Sequence, residues 1–318
     1  MTMYKDITAI NEGLTRDARG FIRAADGVYD AQVEAVAADI VRHHRQRPLV
    51  LLSGPSGSGK TTTARILEEK LRRQGIGTHT VSMDEFFHPL DGTQKAQMAR
   101  GELDLESPDR VDAALLGSVL QDLLAGKPTE LPHFDFATHE RTSSGRVLTR
   151  GEDDVVIVEG IHALNPAAVT LPDGLSTRLY VSVRTRLRLP DGTLLHPSYI
   201  RLLRRLLRDR DYRHRRLEDT LQMFDSVQRG EERYILPYKP HATHDIDTFF
   251  GYEAAVYRRA LYDDLLALRP APRWGTLMGA LAALAPLESG VIPATSLVRE
   301  FIGGSVYYED NVVDPDTL

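Results

Sequence analysis

The feature that most constrains the fold is a glycine-rich stretch at residues 54–61, Gly-Pro-Ser-Gly-Ser-Gly-Lys-Thr, which directly follows the apolar run at 48–53. It fits the pattern G-x-x-x-x-G-K-[ST], in which backbone N–H groups and a helix N-terminus surround phosphate oxygens. Residues 61–74 then carry apolar side chains at helical spacing and end before a glycine. The sequence therefore predicts a strand, a phosphate-binding loop and a helix, with a nucleoside triphosphate as the ligand.

The residue types within this loop have distinct expected roles. Glycines let the backbone curl so that successive N–H groups point inward at the phosphates. Lys60 is expected to reach the β- and γ-phosphates, and the Thr61 hydroxyl to bind Mg²⁺. The residues expected to contact the nucleotide are Gly54, Ser56, Gly57, Ser58, Gly59, Lys60, Thr61 and Thr62.

Bulk composition excludes several classes of protein. A chain of 318 residues fits one main domain with appendages, and its longest apolar stretch, at 277–287, is too short to span a bilayer. The absence of cysteine excludes disulfides, thiolate nucleophiles and cysteine-bound metals, and it fits a cytoplasmic protein. A net charge of −6 argues against a general nucleic-acid binder. We therefore expect a cytoplasmic protein with neither membrane nor nucleic-acid partners.

Strand-like and helix-like segments alternate along the chain after the loop. The predicted strands lie at 78–83, 155–158, 178–183 and 246–250, and the predicted helices lie at 31–44, 61–74, 111–124, 199–208 and 251–268. Such alternation predicts an α/β fold with a mainly parallel sheet and helices on both faces.

Two acidic residues follow strand-like segments at positions suited to catalysis. Asp84 follows the strand at 78–83, and Glu159 closes the strand at 155–158. In open α/β sheets, ligands bind at the carboxyl ends of the strands, so we expect both carboxylates to face the γ-phosphate and its metal. A phosphotransferase needs a group that accepts the proton of the attacking hydroxyl, and these residues are candidates.

Eight arginines lie between residues 201 and 216, with only Asp209 and Asp211 as acidic residues among them. The leucines of this segment form one apolar seam, which predicts an amphipathic helix. We expect Arg201 and Arg204 to lie on its solvated face, as charge runs on helices usually do. Four others fit a lid that closes over the triphosphate and stabilises the transferred phosphoryl group. These lid candidates are Arg205, Arg208, Arg213 and Arg215.

Several separate blocks resemble the uridine kinase and phosphoribulokinase family of P-loop kinases, over about residues 48–268. They are the loop at 54–61, Ser-Met-Asp-Glu-Phe-Phe at 82–87, His-Phe-Asp-Phe-Ala-Thr-His-Glu-Arg at 133–141, Val-Ile-Val-Glu-Gly-Ile at 156–161 and Leu-Leu-Arg-Asp at 206–209. The run at 201–237 and the tail Arg-Glu-Phe-Ile-Gly-Gly-Ser at 299–305 resemble a bacterial uridine kinase-like branch. This likeness implies a three-layer α/β/α P-loop fold with an arginine-rich lid and a helical C-terminal tail.

The resemblance also implies ATP and Mg²⁺ as cofactors and a role for each matching residue. The implied catalytic residues are Lys60, Asp84, Arg208 and Arg213, with Asp84 as the general base on a nucleoside 5′-hydroxyl. The implied metal site comprises Thr61, Asp84 and Glu159, and Arg213 and Arg215 join the nucleotide contacts. The implied acceptor site comprises Asp84, Phe87, Glu106, Phe134, Phe136, His139, Arg205 and Arg208. Flat side chains that stack on a nucleobase suit such a pocket, although plain core packing would use the same residues.

The chain departs from the uridine kinase pattern on the acceptor side. The block Glu-Ser-Pro-Asp at 106–109 stands where that family has Asp-His-Pro-Asp, so Glu106 replaces the aspartate that grips the ribose. Phe87 and Phe134 stand where tyrosines are usual, and Met223 stands where a glutamine is expected. Lost polar contacts weaken discrimination between acceptors. ATP use and phosphoryl transfer are therefore better supported than uridine itself.

The sequence predicts an N-terminal helical lead-in at 1–47, a P-loop kinase domain at 48–270 with its lid at about 205–216, and a helical extension at 271–318. The favoured function is phosphorylation of the 5′-hydroxyl of uridine or cytidine. Two alternatives remain: a kinase for another small hydroxylated acceptor such as a sugar phosphate, and a non-catalytic nucleotide-binding module. The choice between ATP and GTP and the formation of a homo-oligomer are also open.

Overall fold

The computed structural model describes residues 3–269 and 271–308. Its strands, in chain order, are β1 (Tyr4–Asp6), β2 (Leu49–Ser53), β3 (Thr78–Ser82), β4 (Thr129–Asp135), β5 (Glu140–Leu148), β6 (Val155–Glu159), β7 (Ser176–Ser182), β8 (Arg186–Arg188), β9 (Leu194–Leu195) and β10 (His244–Asp247). Its α-helices are α1 (Ile7–His43), α2 (Lys60–Arg73), α3 (Gly92–Ala99), α4 (Ala113–Leu124), α5 (Pro197–Asp211), α6 (Leu217–Tyr234), α7 (Glu253–Ala267), α8 (Gly275–Ala283) and α9 (Arg299–Ile302).

The central sheet has five parallel strands in the order β10-β7-β2-β6-β3. Every residue of β2 and β6 is buried, because strands in the middle of a parallel sheet are covered on both faces. Glu159 pairs in register with Leu52 on one side and with Ser82 on the other. This register brings the ends of β2, β6 and β3 together at one edge of the sheet.

Helices cover both faces of this sheet. Val50 and Leu52 of β2 point into a core shared with α1, α2, α5 and α7, whereas Leu49 and Leu51 point into a second core shared with α4. Successive side chains of this strand thus pack alternately against the helices on the two faces of the sheet. The predicted three-layer α/β/α fold with a parallel sheet is confirmed.

The elements differ from the predictions in several places, and the helices α3 and α6 were not predicted. The helix predicted at 31–44 is the second part of α1, which is kinked at Asp17, where φ is −157° and the carboxylate accepts the N–H of Gly20. The last strand of the sheet lies at His244–Asp247 rather than at 246–250. Two small sheets, β1-β8-β9 and the β4–β5 hairpin, were not predicted, because their strands are very short or largely exposed and lack a hydrophobic period.

The region after α7 is only partly helical. Within the extension predicted at 271–318, the described residues form α8 and the one-turn α9, and most of the remainder is irregular. Residues 1–2 of the predicted lead-in and 309–318 of the predicted extension lie outside the described residues. A search of the described helices found none long and apolar enough to cross a membrane.

Candidate active site

The phosphate-binding loop connects β2 to α2 at the carboxyl edge of the sheet. Gly57 and Gly59 have φ values of 74° and 86°, a region that glycine enters without strain. Helix α2 begins at Lys60, so the first N–H groups of the helix have no partner within it and face the loop. The loop and helix dipole together form an anion site of the kind that binds phosphates.

A buried hydrogen-bond network holds the backbone of this loop. Arg204 is 0% exposed and donates from Nη1 to the Gly57 carbonyl at 3.1 Å and from Nη2 to the Thr248 carbonyl at 2.5 Å. The Thr248 hydroxyl in turn donates to the Ser58 carbonyl at 2.8 Å. The Glu253 carboxylate accepts from Arg204 Nε at 2.8 Å and balances its charge. The loop therefore has its carbonyls tied to elements that lie far away in sequence.

The prediction that Arg201 and Arg204 lie on a solvated helix face is wrong. Arg201 is only 5% exposed, pairs with Glu231 at 2.5 Å and donates to the Ser56 carbonyl at 3.3 Å. Helix α5 is enclosed by the phosphate loop, α6 and α7, so its charged face meets protein rather than water. Arg201 and Arg204 each have a carboxylate partner, Glu231 and Glu253, which balances the buried charge.

Asp84 and Glu159 lie at the carboxyl edge of the sheet beside the loop. Glu159 ends β6 and accepts the Ser82 hydroxyl at 3.0 Å, while Asp84 lies in the 3₁₀ turn Met83–Phe86 after β3. Burial raises the pKa of Glu159 to about 7, although the Lys60 ammonium opposes this rise and the Asp84 carboxylate adds to it. Burial likewise raises the pKa of Asp84, against the attraction of Lys60. The two acids and Lys60 thus form one electrostatic cluster.

This cluster fits a divalent cation. Glu159 and Asp84 offer carboxylate oxygens, and the neighbouring Thr61 offers a hydroxyl, which are hard ligands of the type that Mg²⁺ prefers. The Asp84 carboxylate raises the pKa of the buried Glu159, and a pair of neighbouring carboxylates of this kind favours a cation between them. The residues predicted as metal ligands are therefore chemically suited to hold Mg²⁺ together with nucleotide phosphates.

Three of the four predicted lid arginines contact one buried carboxylate, Asp209. Its oxygens lie 2.9 Å from Arg208 Nη2, 3.5 Å from Arg213 Nη1 and 3.3 Å from Arg215 Nη1, and they also accept the Thr220 hydroxyl at 3.1 Å. Attraction to Arg208, Arg205 and Arg213 outweighs burial and lowers the pKa of Asp209. One carboxylate therefore orders several guanidinium groups and leaves their combined charge largely uncompensated.

Arg205 and Arg213 carry the clearest sign of that excess charge. Burial and repulsion from Arg208 lower the pKa of Arg205 to about 10 and that of Arg213 to about 9. Among the described residues, Nε and Nη1 of Arg205 are buried without a hydrogen-bond partner. Arg208 and Arg213 act electrostatically on Asp84, so the cationic group faces the acid cluster. Such a group attracts an anion such as a phosphoryl group.

Phe134, Phe136 and His139 of the predicted acceptor site belong to the β4–β5 hairpin, which is docked on the turn that contains Asp84. The Glu85 carboxylate accepts the Phe134 N–H at 2.6 Å and contacts His133 Nδ1 at 3.2 Å. At the hairpin tip, His139 has a φ of 58° and its carbonyl accepts the Leu90 N–H at 3.1 Å. These bonds fix the tip against the segment that follows the acid turn.

The predicted base-pocket residues form one aromatic cluster. The rings of Phe87, Phe134 and Phe136 meet edge to face with centroids 5.1–6.1 Å apart. Phe134 is buried at the centre of the cluster, whereas Phe87, Phe136 and His139 are partly exposed. Phe134 therefore packs as core beneath the other rings, which leaves the edges of Phe87, Phe136 and His139 for a ligand.

Glu106 and Met223 are two of the residues that differ from the family pattern. Glu106 interacts electrostatically with Arg205, Lys60 and Asp84, and burial raises its pKa. Met223 Sδ lies 3.5 Å from Arg215 Nη1, so a thioether stands where a stronger acceptor is expected. The structure thus brings Glu106 to the same cluster as the predicted catalytic residues.

Sequence reasoning missed several residues that shape this site. Asp209 was counted as a minor counter-charge, although its place after Leu-Leu-Arg was a usable signal. Ser82, Glu85 and Glu300 lie within blocks that resemble the family, but their roles and that of Glu253 could not be predicted, because each acts through a partner distant in sequence. Tertiary packing alone brings them to the loop or to the acid turn.

The sequence model of the phosphoribulokinase/uridine kinase family matches residues 49–249. Uridine-cytidine kinase 2-B of Danio rerio is 32% identical over 204 residues, which are 62% of this chain and 72% of that protein. A uridine kinase of Staphylococcus epidermidis is 32% identical over 198 residues, which are 62% of this chain and 86% of that protein. Among solved structures, D-glycerate 3-kinase of Cryptococcus neoformans has a TM-score of 0.46 and 16% identity, covering 64% of this chain and 87% of that one.

The family match spans more than half of the chain and contains the phosphate loop, Asp84, Glu159 and the cationic segment of α5. The described residues outside it, 3–48, 250–269 and 271–308, supply α1, α7 and the segment that contacts Gly59 of the loop. The chain therefore belongs to the phosphoribulokinase/uridine kinase family, and as a member it is an ATP-dependent phosphotransferase.

Proposed function

We propose that the protein transfers the γ-phosphoryl group of ATP to the 5′-hydroxyl of a pyrimidine nucleoside, uridine or cytidine. The observation that carries the proposal is the grouping of Asp84 with Lys60, Arg208 and Arg213 at the carboxyl edge of the sheet. A proton acceptor amid cations suits a reaction in which a hydroxyl loses its proton while negative charge is transferred.

In the proposed step, the acceptor oxygen attacks the γ-phosphorus and the bond to the β,γ-bridging oxygen breaks, which releases ADP. Asp84 takes the proton of the attacking hydroxyl, and its raised pKa makes it a stronger base than a solvated aspartate. Lys60, Arg208 and Arg213 stabilise the charge on the phosphoryl oxygens. Residues of the β4–β5 hairpin hold the acceptor so that its hydroxyl lies in line.

Thr61, Asp84 and Glu159 are the proposed ligands of Mg²⁺, directly or through water. When bound, the ion would supply positive charge at the β- and γ-phosphates. The raised pKa of Glu159, about 7, means that cation binding would compete with a proton there. Metal binding at this site should therefore strengthen as pH rises through neutrality.

Two observations support a nucleoside as the acceptor. The related proteins from Danio rerio and Staphylococcus epidermidis are named as a uridine-cytidine kinase and a uridine kinase. The partly exposed rings of Phe87, Phe136 and His139 offer faces and edges to a nucleobase, and Glu106 offers a carboxylate to ribose hydroxyls.

A second candidate, an acceptor with an anionic group such as a sugar phosphate, is favoured by Arg110. This residue is 8% exposed, and the described structure provides neither an ion pair nor a hydrogen bond for its guanidinium, which lies 5.5 Å from the Phe87 ring centroid. It lines a cleft of about 350 Å³ next to the hairpin tip. A guanidinium without an ion pair is a candidate partner for an anionic ligand, although the same cleft is also lined by Asp104 and Asp109.

The deciding experiment measures acceptor-dependent ADP formation with Mg²⁺-ATP and a panel of uridine, cytidine, ribose, ribose 5-phosphate, glycerol and D-glycerate. Turnover with uridine or cytidine, lost in the Lys60→Ala variant, would support the nucleoside assignment. Turnover only with the phosphate or the carboxylate would keep the mechanism and replace the acceptor. ADP formation that never depends on any added acceptor would contradict the proposal.

A further inference from the structure

The segment at residues 296–308, here called the C-terminal strap, lies outside the family match and packs on the phosphate loop. The closest approach is at Gly59, where an added Cβ would lie 2.7 Å from Leu297 Cδ1. Leu297 is itself buried in the main core. The strap therefore forms one wall of the turn that leads into α2.

A second contact reaches the first turn of α2. The Thr62 hydroxyl donates to the Glu300 carboxylate and lies 2.9 Å from the Tyr308 hydroxyl. Because Thr62 has one hydroxyl proton, which goes to Glu300, Tyr308 must be the donor in the second bond. Burial raises the pKa of Tyr308 well above its usual value, which keeps this phenol protonated as that role requires. Two strap residues thus converge on the residue that follows Lys60-Thr61.

A third contact supports the arginine that holds the loop. Phe301 is buried, and its ring centroid lies 5.0 Å from Cζ of Arg204, which donates to the Gly57 carbonyl. The Ser296 hydroxyl lies 2.7 Å from the Tyr252 hydroxyl and donates to Asp26 at 3.3 Å. The strap is therefore anchored to α1 and α7 before it reaches the loop.

We infer that Glu300 and Tyr308 are positioning residues of the nucleotide site, which act through Thr62 to hold the start of α2 in its phosphate-binding conformation. Docking of the strap and binding of the nucleotide are then coupled, and each strengthens the other by the same factor. The inference depends on nucleotide binding by this loop but not on the identity of the acceptor.

The charges around Glu300 also suit the opposite effect, in which the strap weakens nucleotide binding. The experiment below distinguishes the two effects. Burial raises the pKa of Glu300, against the attraction of Arg204, Lys60 and Arg208, and Glu159 interacts with it as a like charge. An ionised carboxylate near Lys60 could also repel the triphosphate. In that arrangement the strap would be an autoinhibitor, and its removal would tighten nucleotide binding.

The test is the dissociation constant of the Mg²⁺ complex of a non-hydrolysable ATP analogue, measured by calorimetry on the full-length protein. Tyr308→Phe removes one hydroxyl and keeps the ring, so we expect binding to weaken about three- to tenfold, the effect of one hydrogen bond. Tyr307→Phe is the matched control, because its hydroxyl contacts Glu69 at 3.5 Å, two turns further along α2. Binding by this control should change less than twofold.

Glu300→Gln provides an independent variant, since its amide keeps an acceptor oxygen and removes the charge. We expect weaker binding, because a charged acceptor makes the stronger hydrogen bond with Thr62. Tighter binding would identify an autoinhibitor and overturn the inference. If this variant does not fold, Tyr308→Phe alone carries the test.

Hydrogen–deuterium exchange tests the coupling directly. A strap that only stabilises the fold would show the same exchange rate with and without nucleotide. The nucleotide analogue should slow exchange at residues 296–308 as well as at the start of α2. Protection confined to α2, or equal nucleotide affinity in wild type and both strap variants, would overturn the inference. Failure of the wild type to bind the analogue would instead contradict the proposed function and the inference together.

Discussion

The backbone carbonyls of the phosphate loop and the cations of the acceptor side differ in how completely they are paired. On the nucleotide side, the carbonyls of Gly57 and Ser58 accept from buried donors, and the Thr62 hydroxyl is bonded to the C-terminal strap. On the acceptor side, the guanidinium groups of Arg110 and Arg205 both retain N–H groups that the described residues do not satisfy.

This difference shows which half is organised in advance. A loop whose backbone is held by buried partners can bind phosphates without rearrangement, which favours tight and specific contacts. Buried cations without partners are stable only when a ligand or water completes them. The conformation of the phosphate loop is thus held by the protein itself, whereas the cations of the acceptor side need a ligand or water to complete their hydrogen bonds.

The largest effect should come from Asp84→Asn. Removing the proton acceptor should lower kcat about 10³-fold, because general bases typically contribute 10²–10⁴-fold. Affinity for the nucleotide in the absence of Mg²⁺ should change far less than kcat, since the hydrogen bonds that hold the loop backbone do not include Asp84. Steady-state kinetics with the best acceptor provides the measurement, and Asp153→Asn, before the amino end of β6 and so at the opposite edge of the sheet, is the control. A loss of less than tenfold would mean that Asp84 is not the base.

Arg204→Met should disrupt the hydrogen-bond network that holds the phosphate loop and lower the free energy of unfolding. The substitution leaves Glu253 buried without its cation, and breaking such a pair typically costs about 3–5 kcal/mol of unfolding free energy. Urea unfolding checks this, with Arg210→Met on the exposed side of α5 as the control. Adding Glu253→Gln to Arg204→Met should restore part of the stability. If Arg204→Met and Arg210→Met behaved alike, the network would not support the loop.

The stability of the protein should depend on pH through His162, which lies on the acceptor side. His162 is 2% exposed and donates from Nε2 to the Glu106 carbonyl at 3.0 Å. Burial lowers the pKa of His162 to about 4. The unfolded chain therefore takes up the proton first as pH falls below about 6.5, so stability is lost between that pH and about 4.

Between pH 7 and pH 5, this histidine should account for a loss of about 2 kcal/mol of unfolding free energy. Urea unfolding of wild type and His162→Gln at both pH values isolates that component, because the amide can still donate to the carbonyl but does not titrate. Parallel pH dependence in the two proteins would show that His162 is not responsible.

The smallest effect concerns selectivity and tests the unpaired charge directly. Arg110→Met keeps the packing of the stem and removes the cation, so the preference for an anionic over a neutral acceptor should fall about tenfold, the scale of one charge-assisted hydrogen bond. The ratio of kcat/KM for ribose 5-phosphate and ribose measures it, with the exposed Arg100→Met as the control. An unchanged ratio would leave Arg110 without a role in acceptor choice.

The parts of the site that could be predicted were those with local signals. The loop motif located Lys60 and Thr61, and the ends of two apolar strands located Asp84 and Glu159. Strand adjacency then brings these residues to one edge, since β6 lies between β2 and β3. Their individual roles remain predictions that the kinetics above would test.

The arginines of α5 show where such reasoning stops. Arg204 and Arg205 are neighbours in the same run, yet one is fully paired and the other keeps unpaired N–H groups. Helical periodicity separates the faces of a helix but does not reveal what covers each face. Glu253 and Phe301 complete the surroundings of Arg204, and both lie more than forty residues further along the chain.

The sequence by itself determined the phosphate loop, the parallel α/β order and the two strand-end carboxylates, because these depend on glycine conformation and on periodicity within short segments. Only the tertiary structure decided that Arg201 and Arg204 of α5 are buried, that Asp209 pairs with Arg208, Arg213 and Arg215, and that residues 296–308 contact the loop and the start of α2. The pairing of a buried charge depends on which distant segments fold against it, and no local pattern records that choice.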